Sequence, residues 1–165
     1  AAAVRLAPGL AFGTGGHATT RQCLAAVAET PWAGERVLDF GCGSGVLALA
    51  ALACGAGHAV AVDHDDQALA ATAHNAALNG LASRLQVSKQ LDPGESFDAV
   101  LANVLAGPLV TLAPQLRSTL RPGARVVLSG ILPEQAEAVA AAWEGVGFEF
   151  READGWMCLV GRFEG

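Results

Sequence analysis

Short runs of consecutive apolar residues alternate with stretches of helical character along most of this chain. Arg36–Phe40 (RVLDF), Ala59–Asp63 (AVAVD), Leu85–Ser88, Phe97–Ala102 (FDAVLA) and Arg125–Ser129 each predict a strand. Between them, Val46–Cys54 and Asp66–Asn79 predict helices, the second stopped by Gly80. Leu109–Leu120 predicts a helix kinked at Pro114, and an Arg121-Pro122-Gly123 turn separates it from the fifth strand. Glu134–Val146 predicts another helix. Phe148–Glu152 and Trp156–Arg162 predict two strands joined by an Asp154-Gly155 hairpin turn. Ahead of all of these, Ala18–Thr30 predicts a helix preceded by a glycine-rich loop, Pro8–Gly16.

Strands that are apolar throughout, alternating with helices, imply an α/β fold. The sheet is expected to be mostly parallel and seven-stranded, with helices on both faces and an antiparallel strand contributed by the C-terminal hairpin. The length of 165 residues and the 52% hydrophobic content fit one domain with a single core, spanning residues 1–165. Phe40–Val62 holds no charged residue, but the glycines at 41, 43, 45, 55 and 57 divide it into a loop, a buried helix and a buried strand rather than a membrane span.

Charge and cysteine usage narrow the function classes. The net charge is −6 and Lys89 is the only lysine, so the chain lacks the clustered cations that bind a nucleic-acid backbone directly. An acidic surface is compatible with a basic protein partner. Cys23, Cys42, Cys54 and Cys158 form no CxxC pair, and no histidine sits at zinc-ligand spacing, so no metal site is expected. Thiols of this kind, with no signal-peptide pattern at the N-terminus, point to the reducing cytoplasm.

The chemistry concentrates after the first strand, where an open parallel sheet binds ligands beyond its C-terminal strand ends. There stands Asp39-Phe40-Gly41-Cys42-Gly43-Ser44-Gly45. Alternate glycines let a ligand lie directly against backbone. A dinucleotide fingerprint needs GxGxxG, and its third glycine would fall on Val46, while no Gly-Lys-Ser/Thr follows for a P-loop. The pattern is GxGxG with an acidic residue two before it, as Rossmann-like methyltransferases use around the amino-acid part of S-adenosylmethionine. Asp63 ends the second strand, about 20 residues on, where a carboxylate can accept both ribose hydroxyls of an adenosine; otherwise it caps the following helix. Asn103, after the fourth strand, either faces the same crevice or caps a helix. His17 is either a general base or a loop residue whose ring nitrogens hold its segment together. Trp32, Trp143 and Trp156 read as packing residues.

Three segments, PGLAFGTGGHATT at 8–20, VLDFGCGSGVLALAAL at 37–52 and ANVLAGPL at 102–109, together resemble the PrmA family, bacterial methyltransferases of large-subunit ribosomal protein eleven. SGIL at 129–132 and GWMCLVGRF at 155–163 fit as well, so the resemblance runs from about Pro8 to Arg162. It implies a Rossmann-like class I methyltransferase fold with S-adenosyl-L-methionine as cofactor. It also implies an activity that methylates lysine side chains and an N-terminal amine of a basic ribosomal protein. The family's cofactor-binding positions fall on Thr20, Gly41, Asp63 and Asn103, and Gly43 and Gly45 complete the glycine turn. Asn103, with the backbone of Val104–Gly107, is the expected positioner of the incoming amine, and no general base is required if the mouth is apolar. The family's N-terminal substrate-recognition domain has no counterpart in this chain, which begins at the catalytic domain. Gly16 and Ala18 replace a more usual Thr or Ser and Pro. A methyltransferase of another protein or of a small molecule remains a second reading on the same scaffold, and an NAD-binding or noncatalytic binding module a third.

Overall fold

A computed structural model describes residues 18–165. The glycine-rich loop Pro8–Gly16 and His17 lie outside the described residues. Seven strands form one sheet: β1 (Arg36–Phe40), β2 (His58–Val62), β3 (Leu85–Ser88), β4 (Phe97–Asn103), β5 (Leu120–Ile131), β6 (Val146–Ala153) and β7 (Trp156–Phe163). Their order is β3-β2-β1-β4-β5-β7-β6. The first five are mutually parallel, and β7 inserts antiparallel between β5 and β6. The hairpin turns on Asp154 (φ 52°) and Gly155 (φ 79°), both in the left-handed region that a two-residue type I′ turn requires.

Side chains alternate across the sheet and meet helices on each face. Val37, Ala99, Leu101 and Val127 pack under α1 (Ala18–Ala28) and α2 (Val46–Ala53). Their neighbours Leu38, Val100, Ala102, Val126 and Leu128 pack on the other face, under α4 (Ala106–Thr111), α5 (Ala113–Arg117) and α6 (Ala136–Ala142). Both faces being covered, the central strands carry runs of consecutive apolar residues, Val37-Leu38, Ala59–Val62, Ala99–Ala102 and Val126–Leu128, which is what the sequence pattern reports. α3 (Asp66–Leu78) packs along β2 and β3. No helix among the described residues is long and apolar enough to cross a membrane.

Three elements differ from expectation. The helix expected over Leu109–Leu120 starts three residues earlier and breaks at Leu112 into α4 and α5. Pro114, the second residue of α5, has no N–H to continue the ladder, and the break exceeds a kink. The fifth strand is longer than Arg125–Ser129: Arg121-Pro122-Gly123 lies inside β5, at an irregularity in its pairing with β4 where Pro122 needs no partner. The last helix is shorter, with a 3₁₀ turn at Pro133–Gln135 ahead of α6, and β6 already begins at Val146.

Candidate active site

The C-terminal ends of β1, β2 and β4 open into a cavity of about 910 Å³, within the range of ligand pockets. Its floor is Gly41–Gly43, the first part of the turn that joins β1 to α2. Two backbone N–H groups, of Gly41 and Cys42, donate to the Val62 carbonyl at 2.8 and 3.1 Å, locking the turn to the end of β2. A Cβ on Gly41 would lie 2.3 Å from Val104 Cγ1, so the absent side chain is what lets the turn approach the segment after β4.

Asp63 follows β2 and faces this turn. One oxygen, Oδ2, accepts the Gly43 N–H at 3.1 Å, and the other, Oδ1, accepts the Asp65 N–H at 3.0 Å. Each oxygen therefore keeps acceptor capacity for a further donor. The helix-capping alternative for Asp63 fails, because Asp65 is the N-cap of α3 and accepts the Gln67 N–H at 2.9 Å.

Asn103 is the last residue of β4, and its Nδ2 donates to Thr20 Oγ1 on α1 at 3.2 Å. It does not cap a helix either: α4 has Leu105 at that position with no side-chain cap. The structure thus brings Thr20, Gly41, Gly43, Asp63 and Asn103 around one cavity. Gly45 sits just behind it, buried against Thr72.

The sequence matches the family described as ribosomal protein L11 methyltransferase (PrmA) over residues 1–164. The chain belongs to that family. It is 53% identical over 160 residues to a ribosomal protein L11 methyltransferase of Azotobacter vinelandii, covering 94% of this chain and 55% of the relative. The corresponding protein of Bordetella parapertussis is 51% identical over 162 residues, covering 96% and 52%. The chain therefore spans about half the length of the curated relatives it matches. A crystal structure of a ribosomal protein L11 methylase from Lactobacillus delbrueckii subsp. bulgaricus superposes with a TM-score of 0.89 at 34% identity, over 98% of this chain and 86% of that one. The Rossmann-like methyltransferase architecture expected from the sequence is the architecture of this member of the family.

Several residues around the cavity have roles that the sequence pattern does not disclose. Asp39 is 1% exposed, and its Oδ2 accepts the Ala48 N–H at 3.1 Å, in the first turn of α2. Burial pushes its carboxyl up to about 7; the Ala48 hydrogen bond opposes this and the charge on Asp63 adds to it. A folded-state value above the unfolded one stabilises the fold at low pH, and that contribution is lost as pH rises through 7. Ligand-free wild-type protein is therefore expected to lose stability from about pH 4 to about pH 8 through this group, and Asp39→Asn to lack that loss. Denaturant melts across the range check it, and parallel profiles for the two proteins contradict it.

Gln22 on α1 is a second such residue. Its Nε2 donates to the carbonyls of Trp156 at 3.0 Å and Arg151 at 3.4 Å. Buried Ser129 lies beside it and donates to the Thr19 carbonyl at 3.3 Å, so α1, which carries Thr20, is tied to the ends of β5 and β7. Trp32 and Trp143 are core residues as expected, at 1% and 0% exposure, but Trp156 is half-buried and lines the cavity. Among the described residues no cluster of His, Cys, Asp or Glu is suited to a metal ion.

Proposed function

We propose that this chain is the catalytic domain of an S-adenosylmethionine-dependent protein methyltransferase that N-methylates a basic ribosomal protein, on lysine side chains and the N-terminal amine. The observation that carries it is the pairing of Asp63 with the turn at Gly43 across one cavity. The cavity's donor set suits a sulfonium nucleoside with an amino-acid tail. Asp63 offers two oxygens with acceptor capacity for ribose hydroxyls. Gly41 and Gly43 line the cavity without side chains, so the tail can lie against backbone. Thr20 and Asn103 close the site from the side of β4.

Bound there, the cofactor supplies an activated methyl carbon. The protein's part is to bind, orient and exclude water. Asn103 commits its amide nitrogen to Thr20, which leaves its carbonyl oxygen to accept an N–H of the acceptor amine and aim the nitrogen lone pair. A lysine amine, with an aqueous pKa of about 10.4, must shed its proton before it attacks. An apolar mouth disfavours the cation and does this without a dedicated base; Val104, Leu105 and Pro108 supply such a lining. A ribosomal acceptor puts the reaction in the cytoplasm.

Incubation with labelled S-adenosylmethionine and separated large-subunit ribosomal proteins tests this. Label is expected in protein eleven, on lysines and the N-terminal amine; label on other proteins only, or on none, refutes it. In the same assay Asn103→Ala is expected to lower turnover about a hundredfold, more than it weakens cofactor binding. Equal turnover to wild type would remove Asn103 from the site's chemistry.

A further inference from the structure

α3 is built largely of alanine, yet two of its buried positions are polar: Thr72 and Asn75, each 0% exposed. Thr and Asn are poorer helix formers than Ala, and a buried polar group is unfavourable unless it is hydrogen-bonded. Three residues apart, they share one face of the helix. That face meets the glycine turn. Thr72 Oγ1 donates to the Gly43 carbonyl at 3.0 Å, and Asn75 Nδ2 donates to the Ser44 carbonyl at 2.9 Å. A hydroxyl has one hydrogen, so the Cys42 thiol, 3.3 Å from Thr72 Oγ1, is the donor in that contact.

These two bonds complete a pattern. The Cys42 carbonyl accepts the Gly45 N–H at 2.8 Å and the Gly45 carbonyl accepts the Leu49 N–H at 2.9 Å. All four carbonyls from Cys42 to Gly45 are therefore bonded within the protein. A carbonyl oxygen aimed into the cavity would repel a carboxylate.

We infer that Thr72 and Asn75 are positioning residues that hold the carbonyls of Gly43 and Ser44 against α3, so that neither oxygen is presented to the carboxylate of an amino-acid tail lying in the cavity. This rests on the cofactor reading above. It adds that the preference for that tail, as distinct from the nucleoside, is set by α3.

The test compares S-adenosylhomocysteine with 5′-methylthioadenosine, which keeps the nucleoside and sulfur but lacks the amino-acid tail. Calorimetric Kd values are measured for wild type, Thr72→Val, which keeps the shape and loses the hydroxyl, and Thr72→Ser, which keeps the hydroxyl. Thr72→Val is expected to reduce the preference for S-adenosylhomocysteine about tenfold, and Thr72→Ser to retain it. A role in folding alone would weaken both ligands equally. An unchanged preference in Thr72→Val, or equal loss in the Ser and Val variants, overturns the proposal. Should Thr72→Val not fold, Asn75→Leu, which keeps the approximate shape and cannot donate to the Ser44 carbonyl, carries the comparison, and an unchanged preference in it overturns the proposal. Wild-type protein that binds neither nucleoside overturns the cofactor reading itself, an outcome distinct from unchanged preference.

Discussion

Asp63→Ala is expected to weaken binding of S-adenosylhomocysteine about a hundredfold. Two charge-assisted hydrogen bonds to ribose hydroxyls are at stake, each contributing about 1.5 kcal/mol or more, and every 1.4 kcal/mol is a factor of ten. The variant also releases the Gly43 N–H, which donates to Asp63 Oδ2 at 3.1 Å, so the turn loses its tie to the ribose side. Asp65, not Asp63, caps α3, and the helix should therefore survive the change. Asp63→Asn is expected to fall between the two, because an amide keeps one acceptor oxygen but presents an NH₂ where the second acceptor stood. Titration calorimetry on the three proteins checks the order. An alanine variant that binds as tightly as wild type would remove Asp63 from the ligand.

Gly45→Ala is expected to cost the fold about 3 kcal/mol, a fall in Tm of roughly 6–12 °C for a domain of this size. The backbone there has φ +83°, where a side chain is strained. The added Cβ would also lie 2.7 Å from Thr72 Cγ2 and 2.9 Å from Thr72 Oγ1. Thr72 is fully buried and holds the Gly43 carbonyl, so it cannot turn aside without leaving that oxygen unpaired. Thermal melts read the stability, and ligand affinity should fall with it because the displaced residue supports the turn. Wild-type stability in the alanine variant would mean that α3 and the turn are not packed as described.

What the sequence made legible follows from local signals. β1, its glycine turn and α2 were readable because an apolar run, alternate glycines and a second apolar run stand in unbroken order. The Asp154-Gly155 hairpin was readable because Asp-Gly suits two positive φ angles. The GxGxG spacing and the position of Asp63 pointed to the cavity, and Thr20 and Asn103 entered through the family resemblance before their mutual hydrogen bond was visible.

What stayed hidden depends on long-range contacts. Thr72 and Asn75 look like ordinary residues of an alanine-rich helix until the turn some 30 residues earlier in the chain folds against them. Their three-residue spacing on one face was the available signal. Gln22 draws its role from carbonyls at 151 and 156. Asp39 was visible as the acidic residue before the turn, but its raised carboxyl follows from burial, which no spacing reveals. Pro114 is a local signal for a break as much as for a kink, and here it stands in the first turn of a new helix rather than bending one. Pro122 misled in the other direction, because an irregular stretch of β5 accommodates it.

A crystal structure of this chain with S-adenosylhomocysteine bound is the most direct test of one cavity shared by the glycine turn and Asp63. The expected density has the ribose hydroxyls on the Asp63 carboxylate and the amino-acid tail along Gly41–Gly43. Nucleoside density in any other part of the molecule, or in the same cavity with the sugar away from Asp63, would contradict it.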